Sequence, residues 1–297
     1  YDVDGFRFDL TKGFTQKDTG GDNGDVAAWG RYDASRVDIL KGYADHIWSV
    51  NSDAVVIFEH LADYSEEKVL AEHGIQLWRN MNGTYRSAVS GGSGDFSGSY
   101  EKNLYGGWVS YMESHDEERL IYKAKTWGAG TIAQSLDEQM QRAAMGAAFF
   151  FTVPGPKMIW QFGELGYDYS IEENGRTGEK PLRWDYLEMP ERRALYDAYA
   201  QLITFRREHP QFFTSEADFT WKVSTSYWST GRHISCVAGE EAFVVVGNPD
   251  TREQAITVTF PIEGSWRNYF ESSESYTGTT TTVTLGAGEY RLYLIEN

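Results

Sequence analysis

The stretch 3-VDGFRFDL-10 decides how the chain is read. Val3, Phe6, Phe8 and Leu10 suit a buried strand, whereas Arg7 and Asp9 would be costly inside one unless they are paired or placed at its end. A second run, 54-AVVIFE-59, is continuous and β-branched, as in a strand covered on both faces. Between them, 33-DASRVDILKGYADHIW-48 carries Val37, Leu40, Tyr43, Ala44, Ile47 and Trp48 at helical spacing. The order is strand, helix, strand. Further strands are expected at IQLWRNM from 75, WVSYMES from 108 and KMIWQF from 157, with helices over 64–73, 134–151 and 191–207. Strands alternating with helices imply a parallel sheet clothed by helices.

After 206-RREHPQFF-213 the pattern changes. FVVVGNP, AITVTFP, TTTTVTL and YRLYLIE are short alternating runs separated by Gly, Pro, Asn and Ser clusters, which predicts a small antiparallel β-domain and a boundary near Pro210. The threonine run 277-TGTTTTVTL-285 reads as an exposed edge strand.

Composition excludes several classes of function. A chain of 297 residues, 41% hydrophobic and 15% aromatic, can bury a full core. Its 27 basic and 44 acidic side chains leave a net charge of -17, which would repel nucleic acid and anionic membrane surfaces. The longest apolar run, 143-AAMGAAFFFTVPGP-156, is broken by Pro154 and Pro156 short of a membrane span. The single cysteine, Cys236, reads as a buried, inert thiol. Residue 1 is Tyr in what reads as the middle of a strand, so a preceding segment is expected.

Chemistry gathers at strand ends. Asp9 ends its strand, Glu59 ends AVVIFE, and His115 with Asp116 follow WVSYMES. In a (β/α) barrel the carboxyl ends of the strands are where reacting groups collect. Fifty residues separate Asp9 from Glu59, one βα unit lengthened by the polar loop 15–31, and 57 separate Glu59 from Asp116, which fits two units.

GFRFDLTKGF, VVIFEHLA and YMESHDEERL resemble, in order, the second, third and fourth signature segments of the alpha-amylase family, glycoside hydrolase family 13. MIWQFGELG and KPLRWDYL resemble the last barrel strand and its loop, LITFRREHPQF the closing helix, and the tail the C-terminal β-sandwich of that family. The resemblance implies an α/β fold: strands four to eight of a (β/α)8 barrel over 1–210, then an antiparallel β-sandwich over 211–297. It implies Asp9 as nucleophile, Glu59 as general acid/base and Asp116 as the third carboxylate. Arg7 would hold the nucleophile, His115 bind substrate and Lys12 line the acceptor side. The first three strands, the domain inserted after the third and the first signature segment have no counterpart here, and calcium, where the family carries it, would be held by that part. Gly13 stands where many amylases have His.

Physical reasoning reaches the same roles. Retaining cleavage of a glycosidic bond needs two carboxyl groups about 5 to 5.5 Å apart, one ionised to attack and one protonated to assist the leaving oxygen. Arg7, on the strand face of Asp9, favours an ionised carboxylate, and Glu59 after an apolar run is a candidate to stay protonated. The expected activity is retaining hydrolysis of α-1,4-glucans by double displacement, with starch, glycogen or maltooligosaccharides as partners. Alternatives are a branching enzyme or transglycosylase with the same acids, a catalytically incomplete glycan-binding fragment, or a metal-dependent hydrolase. An incomplete barrel also suggests self-association or pairing with a missing N-terminal half.

Other polar features read as structural. His46, His60 and His73 belong to no metal-binding motif. The loop KDTGGDNGD lacks the acidic end of a calcium loop. GGSGDFSGSY reads as a flexible loop able to act as a lid or to be disordered. Trp29, Trp78, Trp108, Trp127 and Trp160 fit core packing, though any of them could stack on a sugar ring.

Overall fold

A computed structural model describes residues 3–19, 25–101 and 106–296; residues 20–24 of the KDTGGDNGD loop lie outside it. In chain order the elements are β1 (Gly5–Phe8), α1 (Asp25–Ala28), α2 (Ala34–Val50), β2 (Val55–Phe58), α3 (Tyr64–Glu72), β3 (Gln76–Asn80), α4 (Asn82–Val89), β4 (Trp108–Tyr111), α5 (Leu120–Trp127), α6 (Leu136–Phe151), β5 (Lys157–Met158) and α7 (Pro190–Glu208). Then follow β6 (Asp218–Lys222), β7 (Arg232–Ala238), β8 (Glu241–Gly247), β9 (Gln254–Asn268), β10 (Ser275–Leu285) and β11 (Tyr290–Glu296). The chain divides into two compact units, residues 1–79, 100–110 and 155–158 in one, and 80–99, 111–154 and 159–297 in the other. The change from α/β to all-β architecture falls between α7 and β6.

The first unit holds most of a five-stranded parallel half-barrel sheet, ordered β1-β2-β3-β4-β5. Its core is Val37, Leu40 and Ala44 of α2 against Val56, Phe58, Leu70, Ile75, Leu77 and Trp108. Asp33 starts α2 by accepting the Ser35 N–H at 3.1 Å, the usual remedy for a helix's unpaired first turn. Three sequence expectations change here. Val3, Phe6 and Leu10 are exposed; among the described residues β1 is an edge strand paired with β2, and Phe8 packs inward, edge-on against Phe58 at 5.3 Å. Tyr43 is exposed too, its ring edge-on to Phe14 at 5.6 Å. The last strand is shorter than expected, with only Lys157–Met158 paired.

The second unit combines α4 to α7 with a six-stranded antiparallel sheet, ordered β10-β9-β11-β8-β7-β6. Its β-core joins Val244 and Val246 of β8 to Ile256, Val258, Phe260 and Trp266 of β9, with Val283, Leu285 and Tyr293. The threonine run lies on β10, an edge of the sheet, with a register break between Gly278 and Thr280. α6 is buried on nearly every side. Its Arg142 is itself fully buried and donates to the carbonyls of Ala88 and Val89 on one side and of Pro249 and Asp250 on the other. That one cation binds helices to β-domain.

The GGSGDFSGSY segment is packed rather than loose. Phe96 is buried and stacks between Tyr85 at 4.7 Å and Phe149 at 5.5 Å, so the segment is anchored by an aromatic side chain that its glycines and serines obscure. Cys236 is buried, and burial pushes its thiol up to about 12, far from thiolate chemistry. No helix among the described residues is long and apolar enough to cross a membrane.

Candidate active site

β1 and β2 run parallel in the register Gly5↔Val55 to Phe8↔Phe58, so Asp9 and Glu59 leave the sheet side by side at its carboxyl end. The ladder continues one step past the strands. Glu59 N–H donates to the Phe8 carbonyl at 3.0 Å, and the Glu59 carbonyl accepts the Thr11 N–H at 2.9 Å. The backbone turns sharply after each acid: Leu10 and Leu61 adopt left-handed conformations, φ 42° and 49°, that cost a side-chain-bearing residue about 1 kcal/mol or more.

Arg7 joins the two acids. Its Nη1 donates to Asp9 Oδ1 at 2.6 Å and its Nη2 to Glu59 Oε2. The guanidinium lies over the ring of buried Trp78, 4.0 Å from the centroid. The two carboxyl groups sit in different surroundings, since the side chain of Asp9 is 74% exposed and that of Glu59 only 13%. Burial lifts Glu59 above the usual carboxylate range; a hydrogen bond with Asp9 adds to the rise, and the charge of Arg7 opposes it. A buried carboxyl group whose pKa its surroundings raise thus stands beside a solvent-facing one, bridged by one cation.

Lys12 follows in a short 3-10 turn, Thr11–Phe14, half-buried, with its carbonyl accepting Arg36 Nη1 at 2.6 Å. His115 and Asp116 belong to the second unit, in the loop after β4. There His115 Nε2 is 3.3 Å from Asp116 Oδ2, and the His115 ring lies 5.8 Å from that of Trp160. Arg176 Nη2 donates to the Asp116 carbonyl at 2.7 Å, and the Ser114 hydroxyl accepts the Asp116 N–H at 3.1 Å. The first unit therefore brings Arg7, Asp9 and Glu59 together, and the second pairs His115 with Asp116.

Sequence reasoning missed the support beneath this arrangement. Trp78 carries Arg7, and behind Glu59 lie Thr11, His60, Glu66 and Arg36, all fully buried. Arg36 was readable as unusual, because it stands four residues before Leu40 and eight before Ala44 on the buried face of α2. Among the described residues no three His, Cys, Asp or Glu side chains are grouped as metal ligands.

No protein-family model and no curated protein matches the chain. Solved structures do. An Anoxybacillus alpha-amylase superposes with a TM-score of 0.63 at 16% identity, covering 91% of this chain and 61% of that one. The alpha-amylase of Geobacillus thermoleovorans, solved with acarbose, gives a TM-score of 0.63 at 16% identity over 92% of this chain and 63% of its own. CldA, a cyclomaltodextrin glucanotransferase, gives 0.65 at 16% identity, with 92% and 59% covered. The chain spans about three fifths of the length of these neighbours. With a parallel half-barrel sheet, an antiparallel β-domain and these neighbours, the chain has the fold of alpha-amylase-family enzymes over most of its length.

Proposed function

We propose that this chain carries the reacting centre of an alpha-amylase-like retaining glycoside hydrolase acting on α-1,4-glucans. The observation that carries the reading is Arg7 bridging an exposed Asp9 and a buried Glu59, whose pKa burial raises. The fold shared with amylases, one of them bound to acarbose, supports it.

In the first step an Asp9 oxygen attacks the anomeric carbon while Glu59 gives its proton to the departing glycosidic oxygen. The old C–O bond breaks as the glycosyl–Asp9 ester forms. In the second step the ionised Glu59 takes a proton from water, the water oxygen attacks the same carbon, and Asp9 leaves as a carboxylate. Asp116 and His115 hold sugar hydroxyls, and Lys12 lines the acceptor side. Residues 1–210 form the barrel half and 211–297 the β-domain in this reading. In this reading a second copy of the chain covers the edge strands β1 and β5.

Reducing-sugar release from soluble starch, run beside Glu59→Gln at equal concentration, tests the assignment. Activity lost in the variant supports it; equal activity in both overturns it. Because one neighbour is a glucanotransferase, transfer to a sugar in place of water is the second reading, and longer or newly branched products would identify it.

A further inference from the structure

We infer that His60, acting through the Thr11 hydroxyl, is a positioning residue that fixes the chain carrying Glu59 against the chain carrying Asp9. The inference rests on the reading of Asp9 and Glu59 as the reacting pair.

His60 is the residue after Glu59, and Thr11 is two residues after Asp9. Thr11 Oγ1 lies 2.9 Å from His60 Nδ1 and 3.2 Å from the Glu59 carbonyl. On the other side of the ring, His60 Nε2 lies 2.9 Å from Glu66 Oε1. Glu66 is surrounded by donors. Arg36 Nε reaches Oε1 at 2.6 Å, Arg36 Nη2 reaches Oε2 at 2.7 Å, and the Asp33 N–H reaches Oε2 at 2.8 Å. Burial works against its charge, but hydrogen bonds from His60 and Arg36 outweigh it and bring Glu66 down to about 2. Arg36 in turn donates to the carbonyls of Lys12, Trp29 and Arg31.

These contacts fix the protons. Glu66 is ionised and can only accept, so His60 Nε2 carries a hydrogen toward it. Burial, the largest influence on His60, lowers its affinity for a second proton, which leaves Nδ1 bare. A bare Nδ1 accepts the Thr11 hydroxyl. The ring nitrogen is the nearer of the two acceptors the Thr11 hydroxyl reaches and takes the larger share of its hydrogen, while the Thr11 N–H remains on the Glu59 carbonyl. The path from Arg36 through Glu66, His60 and Thr11 ends at the Glu59 carbonyl, in the chain two residues after Asp9. Thr11, Arg36, His60 and Glu66 are fully buried, where an unsatisfied polar atom is most costly and a satisfied network most rigid.

Two substitutions at one position separate the bonds. His60→Asn places an acceptor near Nδ1 and loses the donor to Glu66, whereas His60→Gln places a donor near Nε2 and loses the acceptor for Thr11. Positioning through Thr11 predicts that His60→Asn turns over faster than His60→Gln. Thr11→Val lowers kcat about ten- to a hundredfold with KM within about twofold, Thr11→Ser recovers most of the loss, and Thr11→Val adds little to His60→Gln.

A second readout needs no turnover. Carboxyl-carbon NMR should show the Glu59 titration displaced in Thr11→Val and undisplaced in Thr11→Ser, with His73→Gln on the surface as control. An unmoved Glu59 titration in Thr11→Val, whatever its melting temperature, overturns the inference. Should the unsubstituted chain release no sugar, the functional reading fails, and the NMR comparison still decides the positioning role.

Discussion

Arg7 lies over Trp78, its guanidinium carbon 4.0 Å from the ring centroid, while its two terminal nitrogens reach Asp9 and Glu59. The ring supports the fork from below. Trp78→Leu should therefore remove a support about 2 kcal/mol in value and let the guanidinium tilt. We expect kcat to fall about tenfold with little change in KM, and urea melts to show the stability loss. Unchanged turnover in a destabilised protein would show that the ring supplies packing alone.

Arg7 also acts on the proton of Glu59. Its charge pulls the Glu59 pKa down against burial, so removing the charge sends that pKa higher still. Arg7→Leu should lower the maximal rate, because Asp9 loses its cation. It should also move the basic limb of kcat/KM to higher pH, since Glu59 must be protonated in the first step. A limb that stays in place or moves down would sink this account of the acid.

Glu113 offers a test of pH and stability away from Arg7. It is buried after β4, and its Oε1 accepts the Leu120 N–H at 2.7 Å. Burial raises its pKa, against the opposing pull of Arg119 and of that N–H. The folded chain thus binds a proton that the unfolded chain has released. Stability should fall as pH rises from the ordinary carboxyl value through the raised one. Glu113→Gln retains an acceptor for Leu120 and removes this loss, so its melting temperature should gain most on the parent at the upper end of about pH 4 to 8. A gain confined to low pH would contradict the assignment.

Arg142→Leu should be among the most damaging single changes. It strips four backbone carbonyls of their donor in a fully buried place. We expect a loss of about 3 kcal/mol by chemical denaturation. A loss under about 1 kcal/mol would mean that water replaces the guanidinium.

Much of this fold was legible in the chain, and the exceptions have physical causes. Apolar runs and helical spacing located β2, β3, β4 and helices α2, α3, α6 and α7 to within a few residues. α4 escaped because it begins with Asn82-Gly83, a pair that normally signals a turn. α5 escaped because Arg119 offers no side-chain cap. The exposure of Phe6 could not be read, since alternation says which residues share a face but not whether a strand has neighbours on both sides. In the site, Arg7, Asp9 and Glu59 stood out as charges at the end of apolar runs. Thr11 and His60 did not, because their importance comes from Glu66 and Arg36, distant in sequence.

Arg142 bears on how such a chain can be recombined. Its hydrogen bonds to Pro249 and Asp250 cross the point where helices give way to β-strands, and Gly247 sits so close to Phe149 that a β-carbon there would fall 2.6 Å from the ring. A chimera that swaps the tail after residue 210 for another β-domain would have to bring matching carbonyls and a glycine at that seam. The natural unit of exchange is the tail together with α4 and α6, so the functional seam of the gene lies upstream of the change in architecture.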